Sequence, residues 1–184
     1  MILKHFLHFG CLYIESAFKG VRKLTENQLE SYISMFRANI YRLSFSYVKN
    51  NEDAEDITQE AFLKLYTAKE SFNSPENVKA WLIRVTINLS KNLIKTSWRQ
   101  RRTELNNEIP VYNGREEVLV DFINKLKPEY SVVLHLYYYE GYSAKEIAWL
   151  CRIPSATVRT RLVRARSQLK EMLLKEGYNE KGIY

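Results

Sequence analysis

The chain has 184 residues, enough for one medium domain or two small ones, and its ordinary apolar content with few Gly and Pro favours a compact, helix-rich globular protein. Its formal net charge of +7 indicates an anionic partner. Cys11 and Cys151 lie far apart, which excludes a disulfide framework and fits a reducing cytoplasm.

Residues 1–23 are predicted to be an N-terminal extension, either an added tail or residues upstream of the true start. Their apolar run is interrupted by charge and is too short to span a bilayer, and it makes a poor signal peptide. His5, His8 and Cys11 have a spacing that could suit a metal, but no fourth ligand lies nearby. We therefore predict neither a metal site nor membrane insertion here.

Residues 24–102 are predicted to form a first helical domain. Thr25 and Gln28 make a capping-box pattern, and apolar residues then recur at spacings of three and four over a helix of about 24 residues. A second helix begins after the turn signal Asn50-Asn51, within a stretch of residues 51–60 that carries five acids and no base.

A third helix should start at Ser74-Pro75, with a serine cap and proline in the first helical position. Its predicted buried line is Val78, Leu82, Val85 and Leu89. The helix runs into residues 91–102, which carry five bases and no acid. Residues 103–115 are polar and contain Pro, Gly and Asn, so they are predicted to be a linker between two all-helical domains.

Residues 116–175 are predicted to form the second helical domain, followed by a C-terminal tail at 176–184. After a short helix that ends near Leu126, Pro128 should open a helix that Gly141 closes. Ser143 and Glu146 form a second capping-box pattern. Pro154 ends that helix, because proline disfavours helical geometry in its predecessor, and Ser155 should cap the last one.

The last helix combines an apolar stripe with basic charge. From Arg152 to Lys175 there are seven bases and one acid, while Val158, Leu162, Ala165 and Leu169 share one face. Two helices joined by a short turn, the second lined with arginine, indicate a helix-turn-helix whose second helix lies in the DNA major groove. Arg161 and Arg166 lie nearer the stripe, where contacts with phosphate or acids are expected.

The acidic second helix, the third helix, the linker and the helix-turn-helix follow one another in an order that resembles a known family. The stretch LKPEYSVVLHLYYYEGYSAKEIAWLCRIPSATVRTRLVRARSQLKEML is similar to the C-terminal domain of extracytoplasmic-function sigma factors of bacterial RNA polymerase. DAEDITQEAFLKLY and AWLIRVTINLSKNLIK resemble their N-terminal domain. The resemblance covers roughly residues 24–175. It implies a promoter-recognition protein of the sigma-70 family, with a region 2-like domain at 24–102 and a region 4-like domain at 116–175.

The same resemblance implies partners and contact residues. The clamp helices of the largest polymerase subunit would bind an acidic face of the second helix: Asp53, Asp56, Gln59, Glu60 and Leu63. The −10 element would meet the loop and third helix: Phe72, Asn73, Ser74, Asn77, Arg84, Asn88, Lys91, Asn92 and Lys95. The −35 element would meet the last helix: Ser155, Thr157, Arg159, Thr160, Val163 and Arg164. The flap of the second-largest subunit and an anti-sigma factor are further partners implied by the family.

The sequence shows no Ser/His/Asp or Cys/His constellation and no Gly-rich phosphate loop, so we expect neither enzymatic activity nor a cofactor. His135 is most simply a helix-packing residue, and Trp81 favours a core position over base contact. The predicted function is promoter recognition and DNA opening with core polymerase in the bacterial cytoplasm. The alternative is a stand-alone helix-turn-helix regulator whose N-terminal half senses a ligand or partner.

Overall fold

The computed structural model describes residues 24–100, 119 and 122–178, and in residues 97–100 it describes only the backbone. These residues form helices and connecting turns, with no strand among them, which confirms the all-helical fold class. The elements are α1 (Glu26–Val48), α2 (Asn51–Tyr66), α3 (Pro75–Gln100), α4 (Pro128–Leu134), a π-helical turn (His135–Tyr139), α5 (Ala144–Cys151) and α6 (Ser155–Lys175). The predicted linker at 103–115 and the extension at 1–23 lie outside the described residues.

Helix α1 begins at the predicted capping box. Thr25 Oγ1 accepts from the backbone N–H of Gln28 over 3.3 Å, and Gln28 Oε1 accepts from the N–H of Thr25 over 3.0 Å. The helix ends where Lys49 adopts the left-handed conformation, with φ at 57°. Asn50 Oδ1 then caps α2 by accepting from the backbone N–H groups of Glu52 and Asp53, so the predicted turn also starts a helix.

Helices α1, α2 and α3 pack together as the N-terminal half, around side chains that include Ile40, Leu65 and Leu82. The prediction for α3 was partly wrong. Ile83 and Ile87 are buried, whereas Val85 and Leu89 are only half-buried at the edge of the core. The reason is that α3 packs against three neighbours, α1, α2 and α5, so its apolar surface is wider than one line of residues.

The C-terminal half follows the predicted order of elements. Pro128 is the first residue of α4, and Gly141 lies just after the π-helical turn with φ at +73°, a conformation that glycine adopts without strain. Ser143 and Glu146 form the predicted capping box at the start of α5. The π-helical turn was not predicted, because its five residues continue the apolar pattern of α4.

The turn between α5 and α6 corrects one expectation. Arg152 ends α5 in the left-handed conformation, with φ at 54°. The N-cap of α6 is Pro154, whose carbonyl accepts from the N–H of Val158 over 3.2 Å. The prediction that Ser155 caps α6 was therefore wrong: proline already has the extended backbone that a cap requires, which makes Ser155 the first helical residue.

The buried side chains of both halves form one hydrophobic cluster, which runs from Leu29 in α1 to Ala165 in α6. Helix α1 packs against α4, and α3 packs against α5. The polar surfaces described next are therefore held on a common scaffold.

Candidate nucleic-acid interface

Helix α6 is anchored by an apolar stripe and presents basic and polar groups on the opposite side. Val158, Leu162 and Ala165 are buried, as predicted, while Leu169 is half-buried. Arg159, Thr160, Val163 and Arg164 are exposed, and Val163 shows 64% of its surface to solvent. An exposed valine between arginines is unusual on a purely solvated face, and it can contact a thymine methyl group while an arginine reads a guanine edge.

Two expected members of the α6 surface, Ser155 and Thr157, are half-buried at the start of the helix. Beside them lies a groove of about 420 Å³ whose lining includes Glu129, Thr157 and Arg164. Arg161 is half-buried, in keeping with its expected place near the stripe. Arg166 has a tyrosine partner rather than an acid, because its Nε donates to Tyr138 Oη over 2.9 Å.

A second polar surface lies along α3 and the loop before it. Asn88, Asn92 and Lys95 are exposed at helical spacing along α3. Asn73 in the loop and Asn77 in the first turn of α3 are also exposed. Ser74 accepts from the N–H of Asn77 over 3.3 Å, so its hydroxyl supports the first turn of α3. These groups lie in an arrangement that can follow a nucleic-acid backbone while leaving amides free to meet bases.

Two aromatic side chains at this surface contact each other. Phe72 and Trp81 meet edge to face, with ring centroids 5.7 Å apart. Both are half-buried and pack against the hydrophobic core. Trp81 therefore has a packing role in this structure, as its place next to the apolar stripe predicted.

Helix α2 presents an acidic face. Asp56 and Gln59 are exposed, Asp53 and Glu60 are half-buried, and Leu63 has 44% of its surface exposed. The five residues are spaced by three or four, so they share one side of the helix. Glu60 also pairs with Lys64 over 2.9 Å within α2. An exposed leucine with carboxylates around it complements a partner surface in which basic side chains surround an apolar patch.

Comparisons with known proteins show the family to which the chain belongs. The model of sigma-70 region 2 matches residues 32–100, and that of sigma-70 region 4 matches residues 116–169. The chain belongs to the sigma-70 family of RNA polymerase sigma factors. Within the family it is of the extracytoplasmic-function type, and the chain functions as a sigma factor in transcription initiation.

Two relatives from Bacillus subtilis (strain 168) illustrate the similarity. The RNA polymerase sigma factor SigV is 28% identical over 160 residues, which are 84% of this chain and 96% of the relative. The ECF RNA polymerase sigma factor SigW is 27% identical over 186 residues, or 88% and 97% of the two chains. The fold also matches the sigma factor RpoE in a complex with the anti-sigma factor NepR from Bartonella quintana. That match has a TM-score of 0.67 and 19% identity, and it covers 80% of this chain and 97% of the other.

Family membership disfavours the alternative of a stand-alone regulator, because the N-terminal half matches region 2 rather than a sensor domain. Among the described residues, no group of three or more His, Cys, Asp and Glu is placed to hold a metal. No described helix is long and apolar enough to cross a membrane. His5, His8 and Cys11, whose spacing was considered for a metal site, lie outside the described residues.

Two of the sigma factor's expected −10 residues, Arg84 and Lys91, contact region 4. The Arg84 guanidinium carbon lies 3.9 Å from the ring centroid of Trp149 in α5. Lys91 Nζ donates to the backbone carbonyl of Cys151 over 2.9 Å. Both cations thus have partners in region 4, whereas Asn88, Asn92 and Lys95 on the same helix are exposed.

A buried carboxylate also joins the two regions. Glu140 lies just after the π-helical turn, and its side chain is 2% exposed. Its oxygens accept from Asn39 Nδ2 over 2.8 Å and pair with Lys79 Nζ over 2.6 Å, and His135 Nε2 lies 3.4 Å away. Burial alone would raise the pKa of Glu140, but the hydrogen bonds from His135, Lys79 and Asn39 outweigh it and hold the pKa at about 2.

Sequence reasoning missed these inter-region residues. Asn39 and Glu140 are separated by 101 positions, and no local pattern connects them. The available signal was weak: Glu140 is the one acid in the aromatic stretch YYYEGY, and a charge in such a stretch needs a partner. His135 was predicted to pack, and it is buried and stacked on Tyr139 with ring centroids 5.5 Å apart.

Proposed function

We propose that this sigma factor directs core RNA polymerase to promoters by dividing recognition between its two regions. Region 4 would read the −35 element as duplex through α6. Region 2 would engage the −10 element through the loop before α3 and the exposed polar face of α3. The observation that carries the proposal is the α6 surface, where Arg159, Thr160, Val163 and Arg164 are all exposed above a buried stripe.

Recognition of the −35 element is proposed to rest on the arginines of α6. Arginine can bind the O6 and N7 atoms of guanine with two hydrogen bonds, and it can also clamp a phosphate. Thr160 is less suited to donate to DNA, because its hydroxyl donates to the carbonyl of Ala156 over 3.0 Å. We therefore assign base reading mainly to Arg164 and Arg159, with Val163 as an apolar contact.

Opening of the −10 element is proposed to depend on capture of unpaired bases. The exposed amides of Asn73, Asn77 and Asn88 are suited to base edges, and Lys95 is suited to the backbone. The energy scale of holding unstacked bases is about 1–3 kcal/mol per base. Because such capture stabilises only the opened strand, it favours melting of the promoter duplex. The sigma factor itself makes or breaks no covalent bond in this step.

The acidic face of α2 is proposed to dock on the clamp helices of the largest polymerase subunit. Opposite charges would steer the encounter, and Leu63 would bury its exposed surface at the centre. Region 4 is proposed to bind the flap of the second-largest subunit. The proposed location is the bacterial cytoplasm, where polymerase and chromosome lie.

An anti-sigma factor is a further proposed partner. Two proteins of similar fold were solved in complexes: the sigma factor RpoE with the anti-sigma factor NepR, and CnrH with the cytosolic domain of CnrY. CnrH matches this chain with a TM-score of 0.57 and 21% identity. A protein that captures region 2 or region 4 would block polymerase or promoter contacts.

Run-off transcription tests the proposal. Purified core polymerase alone should give no specific transcript, whereas core with this protein should give transcripts whose sequenced start sites share −10 and −35 elements. The free protein should bind the same promoter duplex weakly, because each region alone makes a small contact and polymerase supplies the effective concentration for the second. Tight, sequence-specific binding by the free chain would contradict the division of labour.

A further inference from the structure

A carboxylate lies in the groove beside α6, among side chains that are proposed to meet the −35 duplex. Glu129 is the second residue of α4, and it is exposed. It lines the groove of about 420 Å³ together with Thr157, Thr160 and Arg164 of α6. Because α4 and α6 pack directly against each other, the groove is built entirely within region 4.

Glu129 has no cationic partner in this groove. Arg161 and Arg164 both line it, yet none of the described residues forms an ion pair with the Glu129 carboxylate. By contrast, Glu146 accepts from the backbone N–H of Ser143 over 2.8 Å, and Glu171 pairs with a lysine over 2.8 Å. Glu129 therefore keeps its full capacity to accept hydrogen bonds, on a surface whose other charged groups are donors.

A carboxylate in this place opposes the binding of DNA unless it meets a hydrogen-bond donor. Like charges that are brought together weaken binding, and an ionised glutamate can only accept. In the major groove the donors are the N4 amino group of cytosine and the N6 amino group of adenine, and glutamate characteristically accepts from cytosine. Guanine and thymine present acceptor oxygens instead, so the Glu129 carboxylate would favour cytosine and disfavour those two bases.

The packing of α4 on α6 limits how far apart the two contacts can lie. Helices in contact have axes about 8–10 Å apart, and neighbouring base pairs are stacked about 3.4 Å apart. Side chains that reach the duplex from these two helices therefore meet base edges within about three base pairs of each other. Arg164 is suited to a guanine, and Glu129 is suited to a cytosine close to it.

We propose that Glu129 is a specificity-determining residue of −35 recognition, whose carboxylate accepts from the N4 amino group of a cytosine within about three base pairs of the guanine read by Arg164. The inference rests on the −35 role proposed above for region 4, and it adds a base-reading residue that lies outside α6. A donor from α6 and an acceptor from α4 together require both a guanine and a cytosine at a fixed separation.

Transcription from a promoter library with a randomised −35 element tests the inference. Core polymerase is combined with the wild type, with Glu129→Ala, which removes both the charge and the acceptor, or with Glu129→Gln, which removes the charge but keeps an acceptor oxygen. The wild type should prefer cytosine at one position by about fivefold or more, the lower end for one good base contact. Glu129→Ala should abolish this preference, and Glu129→Gln should keep part of it.

Two further variants serve as references. Arg164→Ala, measured in parallel, locates the guanine position by its loss of preference there. Glu176→Ala is the matched control, because Glu176 is an exposed carboxylate of region 4 at the C-cap of α6 and does not line the groove. The control should keep the wild-type base preference at every position. Circular dichroism should show the same helix content in the wild type and in both alanine variants of glutamate, because both glutamates are exposed.

The outcomes separate failure of the inference from failure of the proposed function. Wild type that depends on the −35 sequence, with unchanged base preferences in Glu129→Ala, would overturn the role of Glu129 alone. An equal rise on all promoters in both Glu129 variants would show an effect of charge only, and a change confined to the guanine position would show that Glu129 orients Arg164. Either result would also contradict base reading by Glu129. Wild type that directs no start site would overturn the proposed function itself.

Discussion

Lys49 gives the inter-region contact a pH dependence that can be measured on the purified protein. Its Nζ donates to Ser131 Oγ in α4 over 2.9 Å, and burial lowers the pKa of Lys49 from 10.5 to about 7. The unfolded chain keeps this amine protonated throughout the neutral range. Between pH 7.0 and 8.5 the folded protein releases the proton while the unfolded chain holds it, so the free energy of unfolding rises with pH.

The magnitude follows from the two pKa values. Where the unfolded chain binds one proton more than the folded protein, the free energy of unfolding rises by about 1.4 kcal/mol per pH unit. Integration from pH 7.0 to 8.5 gives a rise of at most about 1.6 kcal/mol. Lys49 is only partly buried, so solvent screening reduces the expected change to roughly 1 kcal/mol. Lys49→Met is the matched variant, because methionine has similar bulk and does not titrate.

The assay is urea unfolding of both proteins at the two pH values, monitored by circular dichroism and by tryptophan fluorescence. Coincident transitions by the two probes justify a single free energy of unfolding. Lys49→Met should be the more stable protein at pH 7.0, and its advantage should shrink by roughly 1 kcal/mol at pH 8.5. An advantage of equal size at both pH values would refute the reasoning.

Three further substitutions test the architecture and the proposed readout. Leu162→Ala should cost about 2–5 kcal/mol of unfolding free energy in urea, because the side chain is buried in the α6 stripe. Ser143→Ala should cost about 1 kcal/mol in the same assay through loss of the capping box of α5. Arg164→Ala should reduce transcription selectively, with a loss worth about 1–3 kcal/mol at the −35 base it reads. An equal loss on every −35 variant would mean that Arg164 contacts only phosphate.

Local signals made much of the fold predictable. Capping boxes at Thr25 and Ser143, and proline at the start of α3 and α4, fixed helix starts because these residues satisfy or avoid the first free amides. Ser155 failed as a predicted cap because Pro154 competes for the same backbone position. The second buried line of α3, with Ile83 and Ile87, depends on how many helices surround it, which periodicity does not reveal.

The candidate site was only partly predictable. The outward face of α6 follows from helical geometry once the buried stripe is known, and the acidic face of α2 follows in the same way. The partners of Arg84 and Lys91 could not be inferred, because they lie in α5 and depend on how the two regions dock. Lys49 likewise looked like an ordinary residue at a helix end until its contact with Ser131 was known.

Site-specific photocrosslinking in the polymerase–promoter complex tests the central claim most directly. A photoreactive amino acid would replace Val163 in α6 or Asn73 before α3, one position at a time. The account predicts that position 163 crosslinks to duplex at the −35 element, and that position 73 crosslinks to the opened strand at the −10 element. Exchange of these two targets, or an active complex in which neither position reaches DNA, would contradict it.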